Sequence, residues 1–164
     1  MTGPPADRTF MMGEFAATFP ADRFYTKTHL WAAPVAEDEA PSTGGPRRTY
    51  RFGFTSYAVR LLQDVYFLDW TVDAPAELAF RQEIGAIESK KAESALYAPA
   101  AGRLTAFNPV LLNDPSGINV DKYEAGWLFT MDVDPGDLLT ADDYLVHLEA
   151  VWPVTQRTIK GQMS

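Results

Sequence analysis

Two adjacent lysines, Lys90 and Lys91, stand inside a short charged cluster, Glu88-Ser89-Lys90-Lys91-Ala92-Glu93. A lysine amine is a nucleophile on a long flexible stem, so an enzyme can acylate it, and the resulting amide removes its charge. Taken alone, paired lysines in a turn are ordinarily a solvated corner. The chain has no cysteine, which excludes a disulfide framework, a thiol nucleophile and a thiolate metal site. Any redox sulfur must therefore arrive on a cofactor. The two histidines, His29 and His147, are too few and too isolated for a metal site, and His29 reads as a hydrogen-bonded structural residue beside Trp31. Asp142-Asp143 reads as a helix start and Glu37-Asp38-Glu39 as a solvated loop. No nucleophile elbow, phosphate-binding glycine loop or paired carboxylates stand out, so independent catalysis is not expected.

The lysines need a rigid base, and the flanking residues supply one. Gly85 to Glu88 is mostly small and apolar, and Leu96-Tyr97-Ala98 resumes that character before Pro99. Two extended segments around a polar tip read as a β-hairpin, although the usual Asn-Gly or Asp-Gly pair is missing. Elsewhere, Phe24–Trp31, Arg48–Phe54, Asp64–Trp70, Gly102–Asn108 and Trp127–Met131 read as strands. Thr55-Ser56 is placed to cap a short helix carrying Tyr57, Ala58, Leu61 and Leu62. Residues 71–80 read as a turn-rich link, and Leu111–Ser116 as a turn or short helix. Thr140 with Asp143 resembles a capping box. Tyr144, Leu148, Val151 and Trp152 follow at helical spacing, until Pro153 ends or kinks the helix.

These patterns give a mainly β domain with peripheral helices, of the α+β class. A chain of 164 residues suits one domain. Residues 1–20 lack strong periodicity and read as an N-terminal extension, disordered at its extreme end, with Phe10, Phe15 and Phe19 available to pack on the main body. The domain proper is expected over 21–153, with a tail at 154–164. Residues 34–47, rich in Pro, Gly and acids, read as a loop. The net charge of −8 argues against a nucleic-acid or anionic-membrane partner. No segment has the apolar length of a membrane span and no signal core is visible, so a cytoplasmic protein is expected.

Glu88-Ser89-x-Lys91-Ala92-x-Ser94, followed by Leu96-Tyr97-Ala98-Pro99 and Gly102, resembles the lipoyl-attachment hairpin of glycine cleavage system H proteins, Glu-Ser-Val-Lys-Ala-x-Ser-Asp. Further landmarks recur in order. Tyr25 to Trp31 resembles the family's Tyr-Thr-x-x-His-Glu-Trp, residues 53–69 resemble its Gly-Ile-Thr strand–helix–strand run, and Ile118 to Trp127 resembles its Leu-Ile-Asn-x-Asp-Pro-Tyr-Gly-x-Gly-Trp. The resemblance covers about residues 24–152. It implies a barrel-sandwich hybrid of two small antiparallel sheets. It also implies lipoic acid as a covalent amide on Lys91, with Glu88, Ser89, Ala92 and Ser94 shaping the attachment hairpin.

The implied role is a shuttle, not a catalyst. In the family the lipoyl arm accepts an aminomethyl group in a pyridoxal-phosphate glycine decarboxylase and hands it to an aminomethyltransferase. A dihydrolipoamide dehydrogenase reoxidises it, and a lipoate ligase or lipoyl transferase installs it. Three departures stand out. Gln63 replaces a glycine after the first helix, which is expected to reshape that exit. Leu30 and Ala95 replace a Glu and an Asp that lie near the parked arm in the family. Losing both is expected to weaken parking of a positively charged arm by about tenfold or more. Two alternatives remain: a specialised carrier of another group or of electrons, and an unmodified interaction module.

Overall fold

The computed structural model describes residues 6–35 and 46–163, with side chains through Arg157. The acidic stretch Glu37-Asp38-Glu39 and most of the expected 34–47 loop lie outside the described residues. Two antiparallel sheets carry the domain. One has six strands: β3 (Phe24–Tyr25), β4 (Leu30–Pro34), β5 (Arg48–Phe54), β11 (Phe129–Val133), β10 (Gly102–Phe107) and β7 (Ala76–Leu78), in that spatial order. The other has three: β6 (Val65–Trp70), β8 (Glu83–Ser89) and β9 (Glu93–Tyr97). Their inner faces meet in one core, as a barrel-sandwich hybrid requires.

Alternation within strands explains how. Tyr50, Phe52 and Phe54 of β5 point inward with Phe129, Met131 and Val133 of β11, and meet Ile84, Ile87 and Leu96 of the small sheet. The opposite face of the large sheet serves a second core, built on Trp31, Tyr25, Tyr57, Tyr144 and Leu148. Gly53 lies under the Trp31 ring, where an added Cβ would sit 2.5 Å from a ring carbon. Only glycine allows that approach.

The helices are short except the last. Helix α1 (Ser56–Leu62) is capped by Thr55, whose side chain accepts from the Ala58 amide. Helices α2 (Pro109–Asn113) and α3 (Gly117–Val120) bridge β10 to β11. Helix α4 (Ala141–Met163) begins where the Thr140 hydroxyl accepts from the Asp143 amide at 3.1 Å. None of the helices among the described residues is long and apolar enough to cross a membrane.

Several expectations are corrected. Phe24–Trp31 is not one strand, because His29 takes φ 67°, a left-handed conformation that turns the chain back into an antiparallel pair. The 71–80 link contains the edge strand β7, paired with β10. The extension is structured from Arg8: β1 (Arg8–Met12) and β2 (Phe15–Phe19) form a hairpin. Alternation in both strands sets Phe10 against Tyr57 and Trp152, and Phe19 against Tyr25 and Tyr144. Residues 1–5 lie outside the described residues. Finally, α4 does not end at Pro153. One lost backbone hydrogen bond is outweighed by packing on both sides of it. Trp152 meets Phe10 and Tyr57, and the Tyr57 hydroxyl donates to Thr155 Oγ1 at 3.1 Å.

Gln63 bears on the site. It adopts φ 60° and ψ −141°, so the glycine-like exit is kept and not reshaped. A non-glycine residue there costs about 1–2 kcal/mol, against about 0.5–1 kcal/mol of extra chain entropy lost by glycine. Gln63→Gly is therefore expected to raise unfolding free energy by roughly 0.5–1 kcal/mol, read as a higher urea midpoint at unchanged m-value.

Candidate functional site

The β8–β9 hairpin pairs Glu88 with Glu93, Ile87 with Ser94, and Ala86 with Ala95. Between them, Ser89 closes the turn. Its amide donates to the Ala92 carbonyl at 2.8 Å, and its buried hydroxyl lies within bonding distance of both the carbonyl and the amide of Ala92. A serine here replaces the missing Asn-Gly chemistry with side-chain bonds to the backbone. The Ser94 hydroxyl donates to the Ala95 carbonyl at 2.9 Å.

The tip is also fastened from outside the hairpin. The Lys90 amide donates to the Asp64 carbonyl at 2.8 Å, and the Lys91 amide to the Leu62 carbonyl at 3.3 Å. Those carbonyls flank the α1 exit, which is itself held by one side chain of α3. Asn119 donates through Nδ2 to the Gln63 carbonyl at 2.6 Å and accepts the Val65 amide at 2.9 Å. Backbone at the corner is thus anchored while both lysine side chains are exposed. The result is a reachable amine on a fixed base.

Beside the hairpin lies an open cleft of about 580 Å³, largely apolar. Its floor and walls include Leu30, Phe54, Ile84, Leu96 and Phe129, with Leu62 at the edge that bonds Lys91. Lys27 and Arg81 also line it, and among the described residues no acidic one does. The Arg81 backbone has φ 65°, on the turn that leads into β8.

His29 closes one side of this cleft. Its Nδ1 lies 2.9 Å from the Tyr144 hydroxyl, which lies 3.1 Å from Thr55 Oγ1. Thr55 Oγ1 also accepts the Ala58 amide, so the imidazole, the phenol and the hydroxyl form one hydrogen-bonded chain. Burial pushes the His29 imidazole down to about 4, with nearby His147 adding to the effect. His147 is lowered as well, first by burial. Burial raises the Tyr25, Tyr123 and Tyr144 phenols, so this aromatic cluster is uncharged near neutrality.

The residues singled out in the sequence fall into one place. Lys91 is at the corner, Glu88 and Ala92 are half-buried, Ser89 is buried and Ser94 exposed. Leu30, Ala95 and His29 share the cleft beside them. Lys27 and Arg81 escaped sequence reading, since their only signal is the turn geometry that aims them there. Among the described residues, no group of three or more His, Asp or Glu side chains is arranged to hold a metal ion.

Comparison with known proteins agrees with this geometry. The family model described as glycine cleavage H-protein matches residues 24–156. The chain belongs to that family. It is 37% identical over 136 residues to a glycine cleavage system H protein of Nocardia farcinica, covering 78% of this chain and 95% of that protein. A Coxiella burnetii glycine cleavage system H protein is 30% identical over 138 residues, with 82% and 98% covered. The crystal structure of a glycine cleavage system H protein from Mycobacterium marinum superposes with a TM-score of 0.62 at 36% identity, covering 77% of this chain and 95% of that one. The family match begins at residue 24, so the β1–β2 hairpin lies outside it.

Two outcomes follow from the site. Asn119→Ala removes both bonds that brace the α1 exit, and is expected to cost about 1–3 kcal/mol. The informative readout is faster amide hydrogen exchange at Lys90 and Lys91 than at the β10–β11 ladder. The second concerns pH. His29 is held below its ordinary 6.5, so the unfolded chain binds the proton first. The associated stability is present above about pH 6.5 and lost as pH falls toward 4. It amounts to about 3 kcal/mol. His29→Asn, which tolerates the left-handed backbone, is expected to flatten that stretch of a chemical-denaturation pH profile.

Proposed function

We propose that this protein is the lipoyl-carrying shuttle of a glycine cleavage system, with the lipoyl amide on Lys91. The supporting observation is the corner itself: an exposed lysine whose backbone is anchored to the Leu62 carbonyl, within a hairpin matching the family's attachment pattern. The chain's own residues fit such a group. Lys91 offers the amine to a lipoate ligase or lipoyl transferase, and Ser89 with Ala92 holds the turn in shape during that encounter. The apolar cleft beginning at Leu62 offers a surface against which a long apolar arm can lie.

When bound, the lipoyl group supplies a sulfur end that takes up an aminomethyl unit and electrons, chemistry no side chain of this cysteine-free protein provides. The protein contributes position. A fixed corner confines the arm's root and raises its effective concentration in a partner's active site. In this reading those partners are a pyridoxal-phosphate glycine decarboxylase, an aminomethyltransferase and a dihydrolipoamide dehydrogenase. The acidic surface, net −8, favours docking to basic partner faces.

Lys90 and Lys91 are neighbours with different anchors, and a mass measurement separates them. After co-expression with a lipoate ligase, the wild-type and Lys90→Ala proteins are expected to gain one lipoyl group in intact mass. Lys91→Ala is expected to gain none. A lipoyl group on Lys91→Ala, or none on the wild type, defeats the assignment.

A further inference from the structure

The outer side of the three-stranded sheet also runs up to the lysine corner. Register puts Phe67 in one cross-strand row with Glu88 and Glu93, and Asp69 in the next with Ala86 and Ala95. The alternating residues Ile87 and Leu96 point into the core, so these rows face outward. Beyond them Glu83 pairs with Tyr97. The three strands carry four acids, Asp69, Glu83, Glu88 and Glu93, and no lysine or arginine. None of the four is in an ion pair among the described residues. Phe67 and Tyr97 are 44% and 45% exposed, on the two edge strands of the sheet. Alanine forms the floor between those two rings.

Two constraints make this face a docking surface. A tethered group enters a partner's buried site only as far as the partner's mouth lies close to the tether's root, so the covered face must adjoin the corner. This one does, because Glu88 and Glu93 are the last strand pair before the turn. Four carboxylates on one face also steer a cationic surface toward it. Exposed aromatic rings then hold the complex once water is displaced. We propose that this sheet face docks the pyridoxal-phosphate glycine decarboxylase, against arginines and lysines set around an apolar depression that takes Phe67. An enzyme that binds a cofactor phosphate and a substrate carboxylate together is electropositive at its mouth, which favours it among the shuttle's partners. This rests on the reading that the chain is a glycine cleavage shuttle with its arm on Lys91.

Asp69→Lys with Glu83→Lys reverses two charges on the face and leaves the lysine turn untouched. Glu14→Lys with Glu149→Lys makes the same change in net charge at exposed positions elsewhere, in the β1–β2 turn and on α4. Unlipoylated protein is passed over immobilised decarboxylase in a biosensor, so the outcome is independent of the mass experiment above. D69K/E83K is expected to bind at least about tenfold more weakly than wild type, chiefly through slower association, with a shallower dependence on salt. Phe67→Ala, which changes no charge, is expected to lose about tenfold through faster dissociation. E14K/E149K is expected to stay within about twofold of wild type, its charges lying beyond screening distance of the face. Binding by D69K/E83K no weaker than by E14K/E149K overturns the proposal. So does a loss confined to the aminomethyltransferase or the dihydrolipoamide dehydrogenase. Wild type that does not bind the decarboxylase at all defeats the shuttle reading itself.

Discussion

The geometry of the lysine corner depends on two backbone hydrogen bonds. The Lys90 and Lys91 amides are given to the Asp64 and Leu62 carbonyls, so the hairpin tip is fixed to a second element while its side chains remain in water. A free two-strand tip would let a tethered group roam with the turn. Bonding the tip to the α1 exit moves the flexibility out to the lysine stem, where a carrier needs it.

The rest of the fold reads as support for that corner. Gln63 accepts a strained backbone so that the chain can leave α1 with its carbonyls toward the hairpin, and Asn119 completes the hydrogen bonding this leaves open. Behind it, the two sheets share one core of inward-facing aromatic and aliphatic residues. That core gives β8 and β9 a rigid floor. The second core, around Trp31 and Tyr144, fixes the turn that carries His29 into the cleft wall. The N-terminal hairpin and the long final helix pack on this second core, away from the lysines.

Family membership over residues 24–156 favours the glycine cleavage role over a carrier of another group or an unmodified module. Leu30 is 4% exposed and belongs to the core, so an apolar side chain is satisfied at that position by packing. Lys27 and Arg81 stand exposed at the edge of the same cleft. The net result is a cleft suited to apolar matter.

Much of this was legible before any coordinates. Arg48–Phe54 alternates because its two faces serve two cores, and its limits match β5. Thr55 announces α1 through its own chemistry, since a hydroxyl before an apolar run satisfies a free first-turn amide. The cysteine count alone ruled out sulfur chemistry by the bare chain. The exposed corner at Lys91 was legible because the hairpin pattern is local, and its neighbours in sequence are its neighbours in space. Other features needed the folded chain. The turn at His29 depends on a left-handed residue bonded to Tyr144, which lies far along the sequence. Continuation of α4 past Pro153 depends on contacts with Phe10 and Tyr57. Lys27 and Arg81 meet only because two separate turns end at one cleft. Local chemistry determined which residue could carry a group; long-range packing decided what surrounds it, because side chains distant in sequence have no pattern until the core brings them together.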